Sequence, residues 1–282
     1  MHYTAVMKPL IEGHLRKMAN EPGSPADYFL IMDEQRLHLN PWLGKKLQLN
    51  YRQRIHCIYC DRKTSKSFNQ GYCYPCFQKL ARCDRCVMSP ERCHYEQGTC
   101  REPEWGEAFC MQDHIVYLAN TSGIKVGITR VENVPYRWLD QGATQALPIY
   151  RVKSRFQSGL VEDLFKAHIS DKTAWQSMLK GDNETVDLPA ERERLTDMLA
   201  GEIRDLQNRF GIDAIAPIAR QEAMMFSYPV LTYPAKVRSL NLDKALQVGG
   251  QLLGIKAQYL IFDTGVINIR KYSGYEVELV SL

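Results

Sequence analysis

The chain has 282 residues, of which 45% are hydrophobic and 24% charged, with a formal net charge of +4. Such a length carries one large domain or two to three small ones, and the composition is that of an ordinary globular protein rather than a fibrous or disordered one. No apolar run approaches the ~18 residues needed to span a bilayer, and Met1 to Lys17 lacks the apolar centre of a secretory leader, so a cytoplasmic protein without membrane association is expected.

The first predicted elements lie in residues 29–49. Phe29-Leu-Ile-Met-Asp33, Leu37-His-Leu39 and Gly44-Lys-Lys-Leu-Gln-Leu49 alternate with the period of half-buried strands. The same text returns 230 residues later as Tyr259-Leu-Ile-Phe-Asp263, Ile267-Asn-Ile269 and Gly274-Tyr-Glu-Val-Glu-Leu279. Asp33 matches Asp263, Gly44 matches Gly274, and the flanking segments align around Leu15 and Leu252, with a longer loop (Glu21 to Ala26) in the first copy. Both ends are expected to form the same three-strand element and to pair into one β-domain, which would hide edges that each copy alone exposes.

All nine cysteines fall between Cys57 and Cys110. An odd count without a leader fits a disulfide framework poorly, so metal ligation is the expected use. Cys57-Ile-Tyr-Cys60 and Cys73-Tyr-Pro-Cys76 are two Cys-x-x-Cys turns, helped by Gly71 and Pro75. Together they offer four thiolates to one structural Zn2+ with no open position. A second zinc could draw on Cys83, Cys86, Cys93, Cys100 and Cys110, with His94 and His114 as ligands or as supporting donors. Cys83 with Cys86 makes a further Cys-x-x-Cys, while Cys86, Cys93, Cys100 and Cys110 form an equally good set. The stretch has few long apolar runs, so metal is expected to supply much of its folding energy. Residues 52–101 carry ten Lys/Arg against four Asp/Glu, which leaves the remainder at −2. A basic metal-binding segment suggests DNA or RNA as a partner. The same excess would equally balance tetrathiolate zinc sites, each of net charge −2.

From Ile115 the text turns to regular α/β structure. Ile115 to Ala119 and Ile124 to Thr129 form a hairpin around Asn120-Thr-Ser-Gly123. Pro135 opens a helix through Gln141, Ala146 to Arg155 is a third strand, and Ser158 to Ile169 is a second helix with Val161, Leu164 and Phe165 on one face. Asp171 to Asp187 is polar, Leu188 to Phe210 reads as one long amphipathic helix, and Tyr228-Pro229 and Tyr233-Pro234 mark extended pieces before the second terminal copy.

Residues 114–170 resemble the GIY-YIG nuclease superfamily. Tyr117 stands at the tyrosine of its first motif, Lys125-Val-Gly127 at its second, Arg137 at its helix arginine and Glu162 at its metal-binding glutamate. Three features depart from that pattern: Lys125 replaces a tyrosine, the hairpin is short, and Gln141 stands where some relatives have histidine. The resemblance implies a phosphodiester endonuclease with Mg2+ at Glu162, Tyr117 as base, and Lys125, Arg130 and Arg137 beside the phosphate. The whole chain also resembles the bacterial domain of unknown function 2797, through Lys66-Ser-Phe68, Gly71-Tyr-Cys73, Gly98-Thr-Cys100-Arg101, Val116 to Ala119, Lys125 to Arg130, Arg137 to Ala143 and Gly254 to Tyr259.

The overall expectation is an α+β protein. It comprises an N-terminal β repeat (1–54), a zinc-ribbon-like segment (55–113), a small GIY-YIG-like α/β domain (114–187), a helical and extended connection (188–247) and a C-terminal β repeat (248–282). The expected function is that of a zinc-binding nucleic-acid-processing protein, with a Mg2+-dependent endonuclease of GIY-YIG type as its catalytic form; the alternatives are a non-catalytic zinc-dependent nucleic-acid-binding module and a protein-interaction scaffold.

Overall fold

The computed structural model describes residues 8–181 and 184–282. Met1 to Met7, where the reading of the N-terminus begins, and Asp182 and Asn183, in the polar stretch after residue 170, lie outside the described residues. Among the described residues no helix is long and apolar enough to cross a membrane. The chain is mixed α/β with antiparallel sheets, and it divides into two compact units: the residues up to Phe77 together with Ser227–Leu282, and Gln78–Phe226. The stretch read as one zinc segment is thus shared out. Its first four cysteines belong to one unit and the other five to the second.

The first unit is built on the terminal repeat. In the first copy, strand Asp27–Met32 pairs with Gln35–His38, in the register Phe29 to His38, Leu30 to Leu37 and Ile31 to Arg36. In the second copy, strand Tyr259–Phe262 pairs with Gly265–Asn268, in the register Tyr259 to Asn268, Leu260 to Ile267 and Ile261 to Val266. Every pair recurs at the sequence offset of 230. The long strand Lys46–His56 lies against Tyr275–Ser281, and the equivalent residues Leu49 and Leu279 face each other there. This places a pseudo-two-fold axis between them.

The flanking strands obey the same axis. Ile11–His14 pairs with Leu279 to Glu276, and Val248 to Gln251 with Leu49 to Lys46. Gly274 donates to the Leu15 carbonyl at 2.8 Å, and Gly44 to that of Leu252 at 2.7 Å. The alternation explains the core: Leu15, Leu30, Met32, Leu47 and Leu49 and their counterparts Leu252, Leu260, Phe262, Val277 and Leu279 all turn inward and are buried.

A glycine and an aspartate lock each copy. The His14 amide donates to Asp33 Oδ2 at 3.0 Å, and the Gln251 amide to Asp263 Oδ1 at 2.9 Å. The carboxylate can reach because the preceding residue has no side chain. A Cβ on Gly13 would stand 2.5 Å from Asp33 Oδ2, and one on Gly250 would stand 2.1 Å from Asp263 Oδ1. Both glycines have positive φ, 144° and 152°, a conformation that other residues rarely adopt.

The second unit carries a five-stranded antiparallel sheet. Its hairpin, His114–Asn120 with Ile124–Arg130, is flanked by Gln145–Val152, which in turn pairs with Ile215–Pro217 and Met224–Met225. Helix Arg155–Lys166 covers one face through Val161 and Phe165, against Val116, Leu118 and Val126. It starts at Ser154 in a capping box closed by Gln157. On the other face Tyr117 packs with Trp138 of the short helix Tyr136–Asp140, and with Ala143 and Ala146.

The long helix expected over 188–210 is two helices, Leu188–Met198 and Ala200–Phe210, hinged at Leu199 with φ −98° and ψ 12°. Leu188, Leu195, Leu199 and Ile203 all reach the same core.

Candidate functional sites

The first four cysteines converge. Strand Lys46–His56 runs directly into the first knuckle, where Cys57 donates its amide to Arg62 O at 2.9 Å and Asp61 returns to Cys57 O at 3.0 Å in a left-handed conformation, φ 55°. Gly71 lies against Ile58, where a Cβ would come within 2.6 Å of its side chain, and this holds the two knuckles together. Cys73 then leads into helix Tyr74–Lys79. All four sulfurs lie within 4.8 Å of one another, so Cys57, Cys60, Cys73 and Cys76 could hold a metal ion.

The spacing matches zinc. With Zn–S near 2.3 Å, the edge of a tetrahedron is about 3.8 Å, and Cys60 Sγ stands 3.7 Å from Cys73 Sγ. Electrostatics favour a cation at the centre. Burial raises the Cys57 thiol, but the amides of Cys60, Cys73 and Tyr59 aimed at its sulfur bring it down to about 7. Burial and the neighbouring sulfurs push the Cys76 thiol upward. Four crowded sulfurs cannot all ionise without a compensating charge.

In the second unit, Cys86, Cys93, Cys100 and Cys110 line one small cavity of about 20 Å3, together with Asp84 and His94. That volume admits a single water-sized or ion-sized occupant. The three ligand atoms that all lie within 4.8 Å are those of Asp84, Cys86 and His94. His94 is held by Thr99 Oγ1 at 2.7 Å through Nδ1, and Asp84 by Arg101 at 2.6 Å. Cys83 is buried outside this cavity and outside the first cluster. His114 belongs to neither set. It is fully buried, Nδ1 meets Gln112 O at 2.6 Å, and burial followed by the nearby Arg155 and Arg130 pushes its pKa down to about 4, so the imidazole is neutral.

Four of the five residues drawn from the nuclease resemblance act on one another electrostatically: Tyr117 and Lys125 from the sheet, Arg137 from helix Tyr136–Asp140 and Glu162 from helix Arg155–Lys166. Tyr117 and Gly127 are direct partners across the hairpin, and the phenol lies over the glycine, where a Cβ would sit 2.7 Å from its hydroxyl. That hydroxyl donates to Gln141 Oε1 at 2.7 Å, and Arg137 acts on it electrostatically. Lys125, one pair further along the same face, is 5% exposed. Burial and then Arg137 lower its pKa to about 8, against the opposing pull of Glu162 and Asp171.

Glu162, on helix Arg155–Lys166, is 9% exposed. Burial raises its pKa, and Lys166 at 3.4 Å works the other way. Arg130 does not join them. It alternates to the opposite strand face, where its guanidinium covers the Phe109 ring at 3.8 Å and pairs with Glu132 at 2.5 Å.

Sequence reasoning passed over Lys166, Arg155 and Asp171. Lys166 was visible as the i+4 partner of Glu162. Asp171 follows a turn and gave no signal. The cations Lys125 and Lys166 act on the carboxylates Glu162 and Asp171, Arg137 acts on Lys125 and Tyr117, and Arg155, which donates to Val87 O and is acted on more strongly by Cys110, acts on Glu162 as well. Such an excess of positive charge suits an anion better than a second divalent cation.

Residues 44–277 match a family described as "Protein of unknown function (DUF2797)". No curated protein and no solved structure matches the chain.

Proposed function

We propose, from the premise that the chain belongs to the DUF2797 family, that it is a zinc-organised nucleic-acid-binding protein whose second unit holds a backbone phosphate. The observation that carries this reading is the cation-rich group around Glu162, in which four basic side chains outnumber two carboxylates beside a buried tyrosine. Arg137 is half-buried and can present its planar fork to a phosphate, and Lys125 and Lys166 add charge behind it.

The first unit supplies a second surface. Tyr59 and Tyr74, 53% and 52% exposed, flank the cysteine cluster alongside the exposed Arg62, Lys63 and Lys66. Exposed rings among cations are the chemistry on which unpaired bases stack. Zinc at Cys57, Cys60, Cys73 and Cys76 would fix that surface, and a second zinc would occupy the cavity lined by Cys86, Cys93, Cys100 and Cys110.

The test is binding of zinc-loaded protein to labelled single- and double-stranded DNA and RNA across a salt series. Binding should weaken steeply with salt, and Arg137→Ala should reduce the salt slope by about one ion. Equal affinity for wild type and Arg137→Ala at every salt concentration would overturn the assignment.

A second reading, Mg2+-dependent phosphodiester hydrolysis, is favoured by one observation. Arg137 and Glu162 both act electrostatically on the Tyr117 hydroxyl, and these are the three residues that the GIY-YIG resemblance would use as arginine, metal ligand and base. It requires Lys166 to release Glu162 to the cation. Product formation that needs Mg2+ and disappears in Glu162→Ala would establish it, whereas binding without Mg2+ that survives this substitution supports the first reading.

A further inference from the structure

The pseudo-two-fold of the first unit provides an internal comparison. The two copies share strands, register and the glycine–aspartate lock, so a residue that differs between equivalent positions is not required by the backbone. At one end His14 is paired across the sheet with Glu276, and at the equivalent place Gln251 is paired with Lys46. Both pairs sit beside the same aspartate, Asp33 or Asp263. The fold is therefore satisfied by an amide and an ammonium where this end carries an imidazole and a carboxylate.

A third group joins them. His56, the last residue of strand Lys46–His56, brings its ring edge-on to His14, and His14 Nε2 stands 2.7 Å from His56 Nδ1. The ligand atoms of His14, His56 and Glu276 all lie within 4.8 Å of one another. They come from three separate strands, so three rigid segments hold them.

His14 is also oriented from behind. Its Nδ1 lies 3.1 Å from Asp33 Oδ1 and 3.2 Å from Oδ2, so the ring donates there and turns the Nε2 lone pair toward His56 and Glu276. A carboxylate behind a ligating imidazole is the support that metal-binding histidines commonly have. A cleft of about 170 Å3, lined by Glu12, His14, Asp33, Arg52 and Glu276, opens onto the group and gives a path of entry.

We infer that His14 Nε2, His56 Nδ1 and a Glu276 carboxylate oxygen form a binding site for a divalent transition metal, distinct from the cysteine clusters, with a free coordination position facing the cleft. Two imidazoles and one carboxylate suit Zn2+, Co2+ or Ni2+ rather than Mg2+ or Ca2+. At metal–nitrogen distances near 2.0–2.1 Å, two tetrahedral ligands stand about 3.4 Å apart. The rings therefore part by about 0.7 Å on binding. The proton held between them moves to His56 Nε2, so no net proton need be lost. Glu276 is bonded through both oxygens to Arg54, whose exposed side chain is free to swing away and release one oxygen. The site is independent of the nucleic-acid reading, and failure of either leaves the other standing.

The test uses full-length protein saturated with zinc at its cysteines, freed of excess metal and titrated with Co2+. One further equivalent should bind and show d–d absorption without a sulfur-to-cobalt charge-transfer band. That absence separates the site from cobalt exchanging into a thiolate cluster. His14→Gln installs the residue that the equivalent position already carries, so the fold should hold. It should weaken cobalt binding at least about tenfold while the zinc content stays unchanged. Glu276→Gln, isosteric and still able to bond Arg54, should do the same, and it serves as the second variant should His14→Gln disturb the strand. No cobalt bound below about 1 mM, or unchanged affinity in both variants, would overturn the assignment.

Discussion

Gly127→Ala offers the cleanest perturbation of the second unit, because its cost can be worked from a single contact. Gly127 does not have a positive φ, so alanine meets no backbone strain there. The cost comes from the new methyl, which would stand 2.7 Å from the Tyr117 hydroxyl, 2.8 Å from Cζ and 3.1 Å from Cε2. These separations are about 1 Å inside carbon van der Waals contact. The ring cannot retreat easily, since Tyr117 is fully buried and Trp138 lies edge-on at 5.6 Å. Overpacking of this kind costs about 1–3 kcal/mol, and displacing the hydroxyl from Gln141 adds about 1 kcal/mol. A loss of about 2–4 kcal/mol is expected from urea denaturation with an unchanged slope. Tyr117→Leu removes the atoms the methyl strikes, so in that background Gly127→Ala should cost at least about 1 kcal/mol less. A single variant within about 0.5 kcal/mol of wild type, or strictly additive effects, would refute the claim that the ring dictates glycine at this position.

Three further outcomes are expected. Chelation of zinc, or Cys73→Ser, should release at least one equivalent of metal and collapse hydrogen-exchange protection over residues 57–77, because structural zinc contributes about 10–16 kcal/mol in comparable peptides; full protection in metal-free protein would contradict this. Asp33→Ala and Asp263→Ala should each cost about 1–2 kcal/mol by thermal melting, since each carboxylate accepts the equivalent amide, and a cost confined to one copy would break the equivalence of the locks. Lys256 is fully buried against the rings of Tyr228 and Tyr233, and burial lowers its pKa from 10.5 to about 8. The unfolded chain therefore holds this proton more tightly, so the stability this group contributes is fully present above pH 10.5 and is lost as pH falls toward 8. Lys256→Met should raise stability by about 1–3 kcal/mol at pH 7, after allowance for lost cation–π attraction, and the gain should shrink as pH rises through that window; a gain independent of pH would exclude Lys256 as its source.

What the sequence revealed follows the range over which each feature is encoded. The terminal repeat was legible because Asp33, Gly44 and the alternating apolar positions 37, 39, 47 and 49 each recur at one offset, and a strand's period of two leaves few registers that bury all of them. The first cysteine cluster was legible because each Cys-x-x-Cys is a local turn. The second was not resolved into ligands, since Cys86 in a 3-10 turn, Cys93 and Cys100 outside any helix or strand and Cys110 at the end of helix Pro103–Cys110 are brought together by a chain course that local spacing does not fix. The break at Leu199 was hidden because a row of leucines at helical spacing looks the same whether the helix is straight or hinged. Arg130 was misplaced by motif order, although strand alternation puts it opposite Lys125.

The group of His14, His56 and Glu276 shows why long-range sites escape such reasoning, and also why a repeat can expose them once the chains are paired. None of the three lies in a motif, and strand pairing brings them together from distant parts of the sequence. A pseudo-two-fold duplicates every constraint that serves the fold: the inward leucines, the positive-φ glycines, and the aspartates that accept an amide. Selection for stability alone acts equally on the two copies, so it accounts for what Gly13 and Gly250 or Asp33 and Asp263 have in common. It gives no account of why one end sets His14 opposite Glu276 at a cleft while the other sets Gln251 opposite Lys46. The asymmetry is the part of this unit that folding does not explain, and it lies where three ligating side chains already share one small volume.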